Sequence, residues 1–388
     1  MCRGGQGCLR TDFTSSAPVS AFAPKTNSDA SRNIWPRTVA VDTISVMQKS
    51  DHGVHLHWAG KHEVRPLPAA SLQAVKRGQA DSVLVHGDNL AGLSALKARG
   101  VRAAMVYLDP PFFTGREHSH VERSRGKDGI VRRLLPAFDD RWGSLEEYLG
   151  ALGDRLTVAR ELLDPAGCLV LHVDPKTSHY AKVLCDEIFG PGAFASEIIW
   201  RYRRWPAKTK NFQRVHDVLL RYVRDPEVAP RFRQLYEPLA ASTAKTWGTQ
   251  RQRAVVDTAG RRRRSSVTED ESPGAPLGDV WDISIIAPVA RERTGYPTQK
   301  PEALLERLVE ACTEPGDLVV DGYAGSGTTL AVCGRLGRRA IGFDQSPQAL
   351  AITRQRLLAQ GLKPHEERVV SAAVLPQKAA ATRARRVA

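Results

Sequence analysis

The stretch "GDLVVDGYAGSGTTLAVCGRLGRRAIGFD", residues 316–344, decides the fold. "DLVVD" is a short apolar run ending in a carboxylate, the pattern of a buried parallel strand. In "GYAGSGTT", Gly325 and Gly327 let the backbone pass close to a ligand, and Ser326 and Thr328 stand in the N-cap region of a helix. "LAVCGRLG" continues that helix, and "RRAIGFD" is the next strand, ending at Asp344. Strand, glycine loop, helix and strand form one unit of an open α/β sheet, which binds its ligands at the carboxyl ends of its strands.

The same alternation runs outward. "SVLVHGDNLAGLSALKARG" (82–100) reads as a strand, a Gly-Asp turn and a helix with Leu90, Leu93 and Leu96 on one side. "VRAAMVYLD" is the following strand. Ser144, three residues before Glu147, makes a capping box for an amphipathic helix that ends at Pro165 and Gly167. "CLVLHVD" is a strand, "SHYAKVLCDEIFG" a helix ending at Gly190, and "SEIIWRY" and "DVLLRYV" two more strands. "TQKPEALLERLVEAC" is a helix with Pro301 in its first turn, and "SPQALAITRQRLLAQG" is the last helix. Two stretches read as irregular. "SHVERSRGKDGIVRRLLPAF" is polar and glycine-containing, a mobile loop over Asp109. Residues 225–280, with their charge run and "SPGAPLG", read as a flexible loop or insertion. The whole implies a mostly parallel sheet covered on both faces.

Composition sets bounds on function. The 388 residues suffice for one large α/β domain or two medium ones, and 42% hydrophobic content suits a globular chain. No apolar run approaches the roughly 20 residues of a membrane span. "MCRGGQGCLRTDF" lacks the apolar core of a secretory signal. Six cysteines form no CxxC pair and no zinc-type cluster, so reduced thiols in a cytoplasmic protein and no metal site are expected. Residues 1–50, rich in Ser, Ala and Pro, read as a disordered extension. The net charge of +14 is concentrated: residues 201–264 hold 17 Lys and Arg against 5 Asp and Glu. Such a block points to nucleic acid, although a solvated loop carries the same composition.

The cofactor loop excludes two common ligands. A dinucleotide fingerprint calls for a third glycine where Leu330 stands, and a Walker A loop calls for a lysine that is missing. Asp321 and bulky Tyr323 suit an uncharged or cationic ligand better than a pyrophosphate. S-adenosylmethionine, with its sulfonium, ammonium and ribose, fits acids at 321 and 344, the second of them placed to take ribose hydroxyls. A tight βα turn without a ligand is the alternative.

A second motif completes the pattern. "YLDPPFFTG", residues 107–115, puts a carboxylate, two prolines and two aromatics at the tip of a strand. With "DGYAGSGTT" downstream, the chain resembles the β-class amino-DNA methyltransferases, the adenine-N6 and cytosine-N4 enzymes of restriction-modification systems. "HWAGK" at 57, "GDNL" at 87, "GCLVLHVDP" at 167, "EIIWRYRR" at 197, "VWDI" at 280 and "GYPTQKPEALLERLVEAC" at 295 match in order. Two positions depart from the pattern: Tyr323 stands where Phe is usual, and Phe113 where Asn is usual.

The resemblance implies a fold, a reaction and roles. The fold is a doubly wound, mixed-sheet, Rossmann-like S-adenosylmethionine-dependent methyltransferase with circularly permuted motif order and an inserted target recognition region. Its parts are an extension (1–50), a catalytic part (51–200), a target recognition region (201–278), a cofactor-binding part (279–362) and a basic tail (363–388). Asp109, Pro110, Pro111 and Phe112 are the catalytic motif. A carboxylate oxygen of Asp109 and the Pro110 carbonyl accept from the target amino group, and Phe112 stacks on a base flipped out of the duplex. Asp321, Tyr323, Gly325, Gly327 and Thr328 shape the cofactor's methionine side, and Asp344 binds the ribose. Asp88 lies at the adenine end or simply caps its helix, and Thr298 and Lys300 approach the cofactor carboxylate. His172 and Asp174 border the target pocket or serve the strand end. Arg201, Arg203, Arg204, Lys208 and Lys210 serve phosphates and base edges, and Arg261, Arg262, Arg263 and Arg264 serve phosphates or solvation. Asp109 favours adenine, since cytosine-N4 members more often carry Ser there. Cytosine-N4 transfer and a DNA-binding relative without turnover remain the alternatives. Double-stranded DNA is the implied partner, in a cytoplasmic, nucleoid-associated setting; a cognate restriction endonuclease and a homodimer are left open.

Overall fold

Strands and helices alternate from Ala70 onward because apolar runs of strand length are separated by amphipathic stretches with caps. The order opens with β1 (Ala70–Lys76), β2 (Gln79–His86), α1 (Asn89–Ala98), β3 (Ala103–Leu108), β4 (Glu117–Gly126) and β5 (Gly129–Asp139). It continues with α2 (Leu145–Leu162), β6 (Leu163–Val173), α3 (Ser178–Phe189), β7 (Phe194–Arg201) and β8 (His216–Val223). Short elements follow: β9 (Tyr236–Glu237), α4 (Ala241–Trp247), β10 (Ala254–Val256), β11 (Arg262–Arg264), β12 (Ala275–Pro276) and β13 (Val280–Asp282). The chain then forms α5 (Glu302–Cys312), β14 (Leu318–Asp321), α6 (Thr328–Arg335), β15 (Arg339–Asp344), α7 (Pro347–Ala359) and β16 (Pro364–Ser371). This computed structural model describes residues 54–58, 61, 69–126, 129–206, 208–247, 254–264 and 272–371. The expectations for residues 1–50 and for the tail beyond 371 lie outside them.

Ten strands form one sheet in the order β1-β16-β2-β15-β14-β3-β6-β8-β7-β13. From β16 to β6 every neighbouring pair is parallel. β1 pairs antiparallel with β16, and β8 runs antiparallel to both β6 and β7, so the sheet is mixed. β14 and β15, late in the chain, sit between the early strands β2 and β3. That placement brings the two sequence motifs to adjacent strand ends.

The pleat sends alternate residues to opposite faces. Val106 and Leu108 of β3 join Leu93, Leu96, Leu152, Leu156 and Leu184 in the core under α1, α2 and α3. Met105 and Tyr107 join Leu304, Leu308, Leu330 and Val332 in the core under α5 and α6. Both faces are therefore covered, as the doubly wound reading requires. Ser144 caps α2 by accepting from the Glu147 amide at 3.2 Å, as its spacing predicts.

Four expectations change. The stretch expected as a mobile loop is an antiparallel hairpin, β4 paired with β5. Its charged sequence hides the period-two signal, but His118 stacks on Phe138 with ring centroids 4.5 Å apart, and His120 Nδ1 lies 2.9 Å from the Gly295 carbonyl oxygen. Residues 364–371, expected within a basic tail, form β16 between β1 and β2; Arg354 of α7 anchors it through Glu366. Within 225–280, short pairs replace a plain loop: β9 with β12, and β10 with β11. Pro301 is the N-cap of α5 rather than a residue of its first turn.

Candidate active site

The carboxyl ends of β3, β14 and β15 open into one cleft of about 560 Å³, a size usual for small-molecule sites. Asp109, Pro110, Pro111 and Phe112 enter from β3, Asp321, Tyr323, Gly325 and Thr328 from the β14–α6 loop, and Asp344 from the end of β15. Thr298 and Lys300 enter from the segment before α5, and His118, Phe138 and Asp140 from the hairpin side. Two predicted cofactor residues do not line it. Asp88 caps α1, accepting from the Ala91 amide at 3.0 Å, and also accepts from Arg155 and Gln345, so its capping alternative describes its place. Gly327 turns toward the protein: it has a φ of 73°, and a Cβ there would come within 2.3 Å of Thr353.

The aspartate of the DPPF motif is held on one side only. Lys300 Nζ donates to Asp109 Oδ2, and the lysine is buried. Oδ1 of Asp109 is buried and has no hydrogen-bond partner among the described residues. A buried acceptor without a partner is costly. Lys300, expected beside the cofactor carboxylate, is thus the counter-ion of Asp109. Its ammonium also lies 5.0 Å over the Phe112 ring.

Asp140 shapes the rest of the loop and was missed in the sequence. It is fully buried and accepts from the Phe113 amide at 3.0 Å, the Thr114 amide at 2.7 Å, the Thr114 hydroxyl at 2.6 Å and Trp142 Nε1 at 3.0 Å. Phe113 has a φ of 56°, in the left-handed region that Asn tolerates and bulky residues avoid. Phe113 therefore holds a backbone geometry that the usual Asn would take more easily, and its ring packs against Tyr148 at 5.7 Å. The only sequence cue for Asp140 was its place just before the α2 cap.

The glycine loop forms a carboxylate cradle. Asp321 is buried and accepts from the Tyr323 amide at 2.9 Å. Burial above all, with the nearby charges of Asp109 and Asp344, pushes its carboxyl up to about 7. Asp344 accepts from the Gly325 amide at 2.9 Å and the Ser346 amide at 2.8 Å, and burial raises it too. Gly325 has a φ of 52°, and a Cβ there would stand 3.2 Å from the Tyr296 ring. The N-cap of α6 is Gly327 itself, without a side-chain capping bond. Thr328, expected to cap, instead donates to the Lys300 carbonyl at 3.1 Å. Asn89, another residue the sequence did not mark, braces the loop by donating to the Gly322 carbonyl at 2.7 Å.

These residues fit S-adenosylmethionine. Asp109, Asp321 and Asp344 converge in one cleft, with Lys300 already committed to the first of them. A buried carboxylate pushed up to about 7 gains from a cationic ligand and would repel a pyrophosphate.

Of the basic segment, part is spent within the fold. Arg201 pairs with Asp282, Arg214 with Asp174, Arg231 with Asp164 and Arg233 with Glu310, and Arg221 is buried. Arg203, Arg204, Lys208 and Lys210 are exposed on the loop between β7 and β8. Trp205 and Phe212 on that loop are 89% and 97% exposed. The loop leaves the sheet at the same edge as the cleft, because β8 pairs antiparallel with β6. Arg261 is exposed; Arg262, Arg263 and Arg264 form β11, and nothing of their side chains lies within the described residues.

The parallel centre of the mixed sheet thus ends at an acidic cleft bordered by a basic loop, the frame of a cofactor-binding α/β protein. A family model described as DNA methylase matches residues 103–355, and the chain belongs to that family, the amino-DNA methyltransferases of the N6/N4 type found in restriction-modification systems. The family draws its methyl group from S-adenosylmethionine. The chain is 29% identical to the type II methyltransferase M.EcaI of Enterobacter cloacae over 318 residues, covering 68% of this chain and 66% of that one. It is 24% identical to the DNA adenine methyltransferase YhdJ of Escherichia coli (strain K12) over 288 residues, covering 72% of this chain and 84% of that one. A crystal structure of the M1.HpyAVI-SAM complex matches with 17% identity and a TM-score of 0.44, covering 71% of this chain and 98% of that one.

Proposed function

We propose that the protein methylates the N6 amino group of adenine in double-stranded DNA at a specific site. The observation that carries this reading is the Asp109 carboxylate, with one oxygen held by Lys300 and the other buried and open. An exocyclic amine is a weak nucleophile because its lone pair is delocalised into the ring. Two acceptors on its hydrogens favour a pyramidal nitrogen that can attack. Asp109 Oδ1 is one acceptor and the Pro110 carbonyl the other. Bound S-adenosylmethionine supplies an electrophilic methyl group. Asp321 and Asp344 hold the ligand's ammonium and ribose ends, and Tyr323 and Thr298 complete its walls. Phe112 offers its ring to the flipped base, and the amine is placed by alignment rather than by strong chemistry.

Arg203, Arg204, Lys208 and Lys210 contact phosphates and base edges, and Arg261 to Arg264 contact phosphates, with the protein at the nucleoid in the cytoplasm. Adenine is favoured by an aspartate at position 109 and by the similarity to the adenine enzyme YhdJ. The test is nucleoside mass spectrometry of DNA incubated with the protein and methyl-labelled S-adenosylmethionine. Label in N6-methyladenine is expected; label only in N4-methylcytosine overturns the adenine assignment.

A further inference from the structure

His172 of β6 lies beneath the catalytic motif and is fully buried. Its Nδ1 is 2.9 Å from the Tyr107 hydroxyl and 3.9 Å from Asp109 Oδ1, the oxygen that no residue satisfies. Its Nε2 is 3.4 Å from Asp217 Oδ2 on β8. Asp217 Oδ1 accepts from the Tyr202 hydroxyl at 3.0 Å, and Arg204 donates to that hydroxyl at 3.2 Å. The Phe112 and Trp200 rings pack against the imidazole, each with its centroid 5.6 Å away. A histidine buried only for packing does not need a carboxylate on each side.

The tautomer follows from the partners. Burial first, and then the charge of Asp109, raise the Tyr107 phenol well above its ordinary value, so it keeps a proton to donate to Nδ1 when the imidazole proton is on Nε2. Asp217 faces Nε2 at 3.4 Å, a carboxylate contact without hydrogen-bond geometry, and favours a proton on that nitrogen. Burial alone would raise Asp217, but His172 beside it, the charge of Lys300 and the Tyr202 hydroxyl bring it below its usual value. Asp217 is thus an anion placed to hold an imidazolium, in the way a buried carboxylate orients a catalytic histidine.

We propose that His172, backed by Asp217, receives the proton that Asp109 takes from the target amine. When the amine nitrogen gains a methyl group it must lose a proton. An N–H bond breaks and an O–H bond forms at Asp109 Oδ1. That O–H bond then breaks as Nδ1–H forms on His172, and the Tyr107 hydroxyl gives up its place on Nδ1. The positive charge rests between Asp217 and the restored Asp109 carboxylate. Once the product base has left and water enters the cleft, the Nδ1–H bond breaks and the proton passes back through Asp109 Oδ1 to that water. Asp109 is thereby ionised again beside Lys300 without carrying the proton through product release. His172 is a positioning and relay residue, since it acts through Asp109. The assignment rests on the methyltransferase reading of the site.

The groups facing His172 are Tyr107, Asp109, Asp217, Tyr202 and Lys300, with Asp321 acting through Tyr107. The experiment compares wild type with His172→Gln, Asp217→Asn and Tyr202→Phe. Single-turnover methyl transfer is followed across pH, with cofactor and DNA both saturating. Cofactor binding, opening of a 2-aminopurine target and melting temperature are measured alongside. His172→Gln is expected to slow single-turnover transfer on the order of 10²-fold and to remove the acid limb of the wild-type profile. Cofactor affinity and base opening should stay unchanged. Asp217→Asn should move the acid limb, and Tyr202→Phe should leave it in place. Imidazole nitrogen NMR of the ligand-free protein gives a readout independent of turnover: His172 should be the Nε2–H form, with its proton signal shifted in Asp217→Asn. A folded His172→Gln or Asp217→Asn protein that keeps the wild-type limb overturns the relay, as does an Nδ1–H tautomer. Loss of cofactor binding or base opening in wild type would overturn the methyltransferase reading instead.

Discussion

Asp321 makes cofactor affinity depend on pH, and the sign can be worked out. Its carboxyl is pushed up to about 7 by burial, so it is largely protonated in mildly acidic solution. A cationic ligand favours the ionised form. If binding requires that form, affinity follows the ionised fraction, which rises about 50-fold between about pH 5 and pH 7 and flattens above. Isothermal titration of S-adenosylmethionine in buffers of different ionisation enthalpy measures both affinity and the proton released. Asp321→Asn, which keeps an acceptor for the Tyr323 amide, should bind more weakly at neutral pH and lose the pH dependence. Stability moves the other way. The folded carboxyl holds its proton more tightly than the unfolded one. Stability therefore falls as pH rises from the ordinary carboxylate range to about 7, and Asp321→Asn should flatten that fall. A dissociation constant that stays level from about pH 5 to pH 7, with no proton released, would show that Asp321 does not face the ligand's charge.

Asp109→Ala should abolish methyl transfer while leaving cofactor affinity nearly intact; equilibrium binding beside a labelled-methyl assay separates the two. Lys300→Met should reduce transfer more than binding, because it strips Asp109 of its counter-ion. Replacing Arg203, Arg204, Lys208 and Lys210 with Ser should weaken DNA binding and flatten its salt dependence, since each lost phosphate contact removes about one unit of slope; a salt titration on cognate and random duplexes reads it. Asp140→Ala should destabilise the fold by about 3 kcal/mol and loosen the DPPF loop, as buried donors lose a charged acceptor; denaturant melts and transfer rates check both.

Local signals carried most of the fold. The βα units around Asp109 and Asp321 are short apolar runs bounded by glycine turns and caps, and these need no distant partner to be read. The sheet edges were less legible. β16 carries three charged residues in eight, and its place between β1 and β2 depends on pairing with residues nearly 300 positions earlier. The hairpin was hidden for a similar reason: its ladder is closed by a stacked His118–Phe138 pair rather than by an apolar alternation. Composition also overstated the basic segment, because Arg201, Arg214, Arg231 and Arg233 find their acids in other elements.

The site shows the same division and explains how one chain serves two charges. Motif residues could be read because their spacing is local; their partners could not. Lys300 reaches Asp109 across 191 positions, and Arg155 reaches Asp88 across 67. These long contacts decide which carboxylate is free and which is spent. Asp88, an acid by composition, is consumed by capping and by Arg155. Asp109 keeps one open oxygen because Lys300 occupies the other. Asp321 and Asp344 stay poised by burial. The result is an acidic cleft inside a protein whose formal charge is +14. Exposed Arg203, Arg204, Lys208 and Lys210 meet solvent at the rim, the place that the proposed DNA contact gives them. The interior carboxylates, shielded by burial from that field, favour a cation. A single basic pocket could not separate two ligands of opposite sign; under the proposed function a basic rim over an acidic floor would, and the sheet supplies that layout by ending β3, β14, β15 and β7 on one side.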